Sequence, residues 1–147
     1  MNLFTVADVM TREVVYLPAA TTLDEAAQAM RDGNIGDVLV TRGPTLSGLV
    51  TDRDIVVRGI AEGRVPTTAT LGEIESPELL MVEENATVAE AVQVMRERNV
   101  RRLLVCDGER KITGIVSLTD VVAHPRSAEW FTDGAVAAVT VPVPHQS

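Results

Sequence analysis

The chain is written twice. Residues 21–40, TTLDEAAQAMRDGNIGDVLV, lie over residues 86–105, ATVAEAVQVMRERNVRRLLV, at an offset of 65. Thr22 meets Thr87, Glu25 meets Glu90, Met30 meets Met95, Asn34 meets Asn99 and Val40 meets Val105. One extra residue in the second turn lengthens the offset to 66, and GLVTDRD at 48–54 then meets GIVSLTD at 114–120. The register also reaches upstream, where TVADVM at 5–10 faces TLGEIE at 70–75. A duplication of this length dictates two copies of one structural unit, since a unit too small to bury its sheet face alone gains a core from its neighbour. The copies span residues 5–64 and 70–124, with a linker at 65–69 and a C-terminal arm at 125–147.

Each copy predicts elements in the order β-α-β-β-α. VVYL at 14–17 and LLMV at 79–82 are aliphatic runs of strand length. Thr22 with Glu25, and Thr87 with Glu90, fit the S/T-x-x-E capping box that opens a helix. Leu23, Ala26, Ala27 and Met30 follow at helical spacing, as do Val88, Ala91, Val92 and Met95, giving one buried stripe per copy. Asn34 and Asn99 stand where a helix ends in a left-handed residue. VLV at 38–40 and GLV at 48–50 pair around Gly43-Pro44, and LLV at 103–105 and GIV at 114–116 pair across Asp107-Gly108. A second helix follows in DIVVRGIAEG at 54–63 and in DVVAH at 120–124, which Pro125 closes. The expected fold class is α/β (α+β), two β-α-β-β-α repeats packed sheet to sheet about a pseudo-twofold axis.

Charge and composition narrow the partners. A net charge of −8 and a pI near 4.7 disfavour nucleic acid and anionic membrane surfaces, both of which need a positive field. No run of 18 apolar residues occurs and the N-terminus lacks the pattern of a signal peptide. The single cysteine, Cys106, forbids an intrachain disulfide, fits a reducing cytoplasm and reads as a strand packing residue. Neither His124 nor His145 pairs with a nucleophile at a defensible spacing, and no P-loop, G-x-G-x-x-G or metal-ligand cluster is written. Neither catalysis nor a required cofactor or metal is therefore expected. The arm, with the only Trp and an apolar middle, reads either as a cover for its own core or as a segment lying across a partner subunit.

The repeated Gly-h-h-Thr/Ser-x-x-Asp carries the chemistry. At a strand-to-helix junction Thr51 and Ser117 become N-caps, and Asp54 and Asp120 become the third helical residue. Stability alone explains that pattern, through capping and the helix dipole. The same geometry also suits a nucleotide. The hydroxyl and nearby N–H groups address a phosphate, while the carboxylate repels phosphate but accepts two hydrogen bonds from a ribose diol. The glycine lets a ligand or a second backbone approach. Arg101-Arg102 are either a phosphate clamp or an exposed pair at a strand edge.

With TVADVM, NIGDVLV and GLVTDRDIV in one copy and NVRRLLV and GIVSLTDVV in the other, residues 5–124 resemble a tandem pair of CBS domains, or Bateman module. VTDRDIVVRGIAEG is similar to small stand-alone bacterial CBS-pair proteins, including the hypoxic-response type. The resemblance implies two clefts between the copies that accept AMP, ATP or S-adenosylmethionine, and a homodimer of two modules. It implies ribose on Asp54 and Asp120 and phosphate on Thr51 and Ser117. It implies adenine flanked by Val14, Val15, Asp37 and Val38 in one copy, and by Leu79, Leu80, Arg102 and Leu103 in the other. Arg53, whose counterpart Thr119 is uncharged, favours a phosphorylated ligand at the first motif. Leu39 and Leu104 stand where many members carry Pro, a departure from the family pattern. The expected function is regulatory adenosyl-ligand binding that signals through a homodimer to an unknown effector protein. The alternative is a ligand-free dimeric interaction or stress-response scaffold.

Overall fold

The computed structural model describes residues 4–125; the arm beyond Pro125, with His145, lies outside the described residues. In chain order the elements are α1 (Val6–Val9), β1 (Tyr16–Pro18), α2 (Leu23–Gly33), β2 (Asp37–Arg42) and β3 (Thr45–Thr51). A helical stretch follows, opening with α3 (Asp52–Asp54) and continuing as a wide π turn (Ile55–Gly59) and a 3-10 turn (Ile60–Glu62). Then come α4 (Leu71–Ile74), β4 (Met81–Glu83), α5 (Val88–Arg98), β5 (Arg102–Cys106), β6 (Ile112–Ser117) and α6 (Leu118–Ala123). The duplicated order and the mixed α/β composition agree with the reading from sequence. The strands β1 and β4 begin two residues later than their apolar runs. Parallel pairing starts only at Tyr16 with Leu39 and at Met81 with Leu104, and the preceding residues lead into it.

The chain divides into two compact units, one of Val14–Leu79 and one that joins the N-terminal stretch up to Glu13 to the chain from Leu80 onward. Each holds a three-stranded sheet, ordered β1-β2-β3 in the contiguous unit and β4-β5-β6 in the split one. In each sheet the first pair is parallel and the second antiparallel. The contiguous unit buries Leu23, Ala26 and Met30 of α2 against Val38, Val40 and Val50, with Leu71 and Ile74 of α4. The split unit buries Val88, Ala91, Val92 and Met95 of α5 against Leu103, Val105 and Val116, with Val6 and Met10.

Both long helices start and stop as their sequences specify. The Thr22 hydroxyl accepts from the Glu25 N–H while the Glu25 carboxylate accepts from the Thr22 N–H, and Thr87 and Glu90 repeat this. Asn34 and Asn99 end the helices at φ 53° and 55°, in the left-handed region that Asn tolerates better than most residues.

The short helices dock by one recurring pattern. In the contiguous unit Leu71 N–H donates to the Thr21 carbonyl and Gly72 N–H to the Ala19 carbonyl, both at 2.9 Å. In the split unit Val6 N–H donates to Ala86 at 2.8 Å and Ala7 N–H to Glu84 at 3.1 Å. The short helix that opens the first copy is thus docked on residues of the second, and the one that opens the second copy is docked on residues of the first. Just beyond each helix the chain adds one bridge to the sheet edge, Thr11 with Ile115 and Ser76 with Leu49. These bridges explain the glycine of the repeated motif. A Cβ on Gly114 would lie 2.7 Å from the Thr11 carbonyl oxygen, and one on Gly48 would lie 2.8 Å from that of Ser76. Of the two uses open to this glycine, close approach of a second backbone is the one observed.

Candidate functional site

The site is built at the junctions β3–α3 and β6–α6. Thr51 and Ser117 are extended (φ −105° and −118°), so the chain leaves the sheet there and turns into a helix. The Thr51 hydroxyl accepts from the Asp54 N–H at 3.0 Å, and Asp54 Oδ2 accepts from the Thr51 N–H at 2.9 Å. The Ser117 hydroxyl accepts from the Asp120 N–H at 3.0 Å, and Asp120 Oδ2 accepts from the Ser117 N–H at 3.0 Å. The first helical N–H is held by a neighbouring strand end: Asp52 donates to the Gly36 carbonyl and Leu118 to the Arg101 carbonyl, both at 2.9 Å. The pairing of hydroxyl and carboxylate is therefore a reciprocal cap. It engages one carboxylate oxygen, and Oδ1 of each aspartate remains outside the cap. Asp54 and Asp120 are half-buried, as is Thr51, while Ser117 is buried.

Around the first junction, Asp37 is the register partner of Thr51 and Val38 that of Val50. Around the second, Arg102 is the partner of Ser117 and Leu103 that of Val116. The side chains of Val38 and Leu103 belong to the two cores, and their main chains lie in the ladders opposite Val50 and Val116. Val14, Val15, Leu79 and Leu80 are half-buried. Val15 and Leu80 hand their carbonyls to the N–H groups of Leu39 and Leu104, at 2.8 and 2.9 Å, which fixes them beside β2 and β5. Arg53 is exposed.

Two participants lay outside the sequence reading. Asp52, between the motif's Thr and its Asp, accepts the Arg53 N–H through Oδ1 at 2.8 Å, whereas its counterpart Leu118 is buried. Thr11 brings its hydroxyl to 3.5 Å from both oxygens of Asp120. The T-D-R-D string displays Asp52 openly, but nothing local in sequence links Thr11 to a residue 109 positions away. Among the described residues, no group of three or more His, Cys, Asp or Glu is placed to hold a metal ion, and no helix is long and apolar enough to cross a membrane. Cys106 is a free, buried thiol within β5.

A duplicated β-α-β-β-α unit whose strand-to-helix junctions both carry the capped hydroxyl–carboxylate pair defines a tandem CBS pair. The CBS domain family model matches residues 6–59 and again residues 71–127, and the chain belongs to that family. It is 39% identical over 121 residues to Hypoxic response protein 1 of Mycobacterium tuberculosis, an alignment covering 82% of this chain and 84% of that one. A crystal structure of Hypoxic Response Protein I with two coordinated zinc ions superposes with a TM-score of 0.63 at 38% identity, over 84% of this chain and 99% of that chain. The CBS domain protein PAE2072 from Pyrobaculum aerophilum, complexed with AMP, gives a TM-score of 0.72 at 20% identity, over 92% of this chain and 99% of that chain. At that identity the likeness concerns the fold.

Proposed function

We propose that this CBS pair is a non-catalytic regulatory module that binds an adenosyl ligand, AMP, ATP or S-adenosylmethionine, at one or both repeated motifs. It transmits occupancy through a homodimer to a separate effector protein, and its buried Cys106 thiol suits a reducing cytoplasm. The observation that carries the reading is that the hydroxyl–carboxylate pair recurs with the same geometry in both units, each time leaving one carboxylate oxygen outside the cap. That oxygen is suited to a ribose hydroxyl, and the neighbouring aliphatic residues Val14, Val15, Leu79 and Leu80 to a base. The AMP complex of PAE2072 supports the ligand class.

The test is thermal unfolding with AMP, ATP and S-adenosylmethionine, repeated on Asp54→Ala and Asp120→Ala. At 100 times Kd a ligand adds about 2.7 kcal/mol to stability, and the substitution at an occupied motif abolishes that gain. A gain that survives both substitutions refutes the ribose assignment. A second reading, a ligand-free scaffold, is favoured by one observation: the pair is already mutually satisfied as a helix cap. Under that reading no compound shifts the melting curve.

A further inference from the structure

The two motifs share a backbone geometry but face side chains of opposite charge. Residues directly opposite each other in an antiparallel pair project from the same face of the sheet, with Cβ atoms about 5 Å apart. The residue opposite Thr51 is Asp37; the residue opposite Ser117 is Arg102. The difference extends to the neighbours. Asp52 begins the first helix and turns its carboxylate back over the Arg53 N–H, where the second junction has the buried, uncharged Leu118. The carbonyl that receives the first helical N–H belongs to Gly36 in one unit and to Arg101 in the other. The residues that build the first junction are thus mostly acidic, Asp37, Asp52 and Asp54 with one exposed cationic residue, Arg53, while those of the second are Arg101, Arg102 and one acidic residue, Asp120.

We infer that the charge opposite the motif hydroxyl makes the two sites select different ligands. The second motif takes the phosphorylated adenosyl compound, with Arg102 as the specificity-determining residue. The first rejects phosphate through Asp37 and Asp52 and takes only adenosyl compounds that are neutral or cationic where the phosphate would lie. This rests on the adenosyl-ligand reading above, and it reverses the expectation drawn from Arg53. A like charge beside an anionic group penalises the wrong ligand, whereas a guanidinium offers phosphate charge-assisted hydrogen bonds.

Isothermal titration of the full chain with AMP and with adenosine tests it. The wild type is expected to bind one AMP per chain. Arg102→Gln and, independently, Arg102→Glu should weaken AMP about tenfold or more while leaving adenosine within about twofold. Asp120→Ala removes AMP binding and Asp54→Ala leaves it intact. The pair Asp37→Asn with Asp52→Asn should add a second AMP. Because adenosine serves as the internal control, a variant that merely loosens the fold lowers both affinities together and counts against the inference. Two equal AMP sites in the wild type, or AMP binding lost in Asp54→Ala but kept in Asp120→Ala, overturns the inference and leaves the adenosyl reading standing. Silence toward AMP, adenosine and S-adenosylmethionine alike overturns both.

Discussion

Set side by side, the contiguous unit and the split unit agree in backbone and differ in what their side chains add to it. Both sheets have the same order and pairing, both long helices start on a Thr–Glu box and end on a left-handed Asn, and both edges receive one bridge from a preceding segment. The differences lie around these shared features. The helical stretch after β3 contains a π turn, in which Ile55 and Gly59 are buried while Val56 and Val57, and Ile60 just after it, stay exposed; α6 is regular and shorter. The helix α4 is tied down by Arg42 to Glu75 and by Arg64 to Glu73 at 2.7 Å, whereas α1 is held in its unit by backbone hydrogen bonds and apolar packing, with the Arg12 guanidinium donating to the Ala7 carbonyl at 3.3 Å. The lesson is that geometry at such a junction depends on a few residues with local hydrogen-bonding roles. Charge can vary freely around them without disturbing it.

The largest expected effect tests whether the exchanged helices matter equally to their units. Leu71 and Val6 are register equivalents and both are fully buried. Leu71→Ala should cost about 2–5 kcal/mol, and Val6→Ala less, since fewer carbons are removed. Urea unfolding gives the totals, and hydrogen exchange at β3 and β6 should show each loss confined to the unit that holds the helix. Loss of protection at β6 in Leu71→Ala would break the comparison. A smaller effect tests the caps: Thr51→Ala and Ser117→Ala should each cost about 0.5–2 kcal/mol. Similar values would show that the two junctions are equivalent as caps whatever ligand they take.

The smallest effect separates the turns. In the β5–β6 turn the Asp107 carboxylate accepts from the Glu109 and Lys111 N–H groups at 2.8 and 3.0 Å, which lowers its pKa, with the bond from Lys111 the larger cause. The β2–β3 turn has Gly43-Pro44 at its tip instead. A carboxylate with a lowered folded pKa contributes its full stability above the unfolded value of about 3.9 and loses it as pH falls through the folded value. The difference in urea midpoint between wild type and Asp107→Asn should therefore be largest near neutrality and shrink below pH 4. A difference independent of pH would mean that the turn draws nothing from the carboxylate's charge.

Much of this was legible in the sequence because the signals are local. Thr22 and Glu25 lie within one helical turn, Asn34 sits at the end of its stripe, and Thr51 and Asp54 are three residues apart, so their hydrogen bonds follow from spacing. The register also showed that residues 5–10 and 70–75 are equivalent. It could not show onto which copy each docks, because equivalent grooves accept equivalent helices. The π turn was hidden as well: DIVVRG has helical composition, and its widening reflects tertiary packing, with a Cβ on Gly59 falling 2.8 Å from Leu23. The facing of Asp37 with Thr51 and of Arg102 with Ser117 required strand register, and the contact of Thr11 with Asp120 required the whole chain.

The exchange of the short helices has a consequence for synthesis on the ribosome. The contiguous unit has every part it needs once residue 79 has left the exit tunnel. The N-terminal segment has none of its partners then, because the strand that bridges Thr11 lies about a hundred residues downstream. At 5–20 residues per second that is a wait of roughly 5–20 s. During that interval Val6 and Met10 have no native groove, and a nascent neighbour on the same message could offer one.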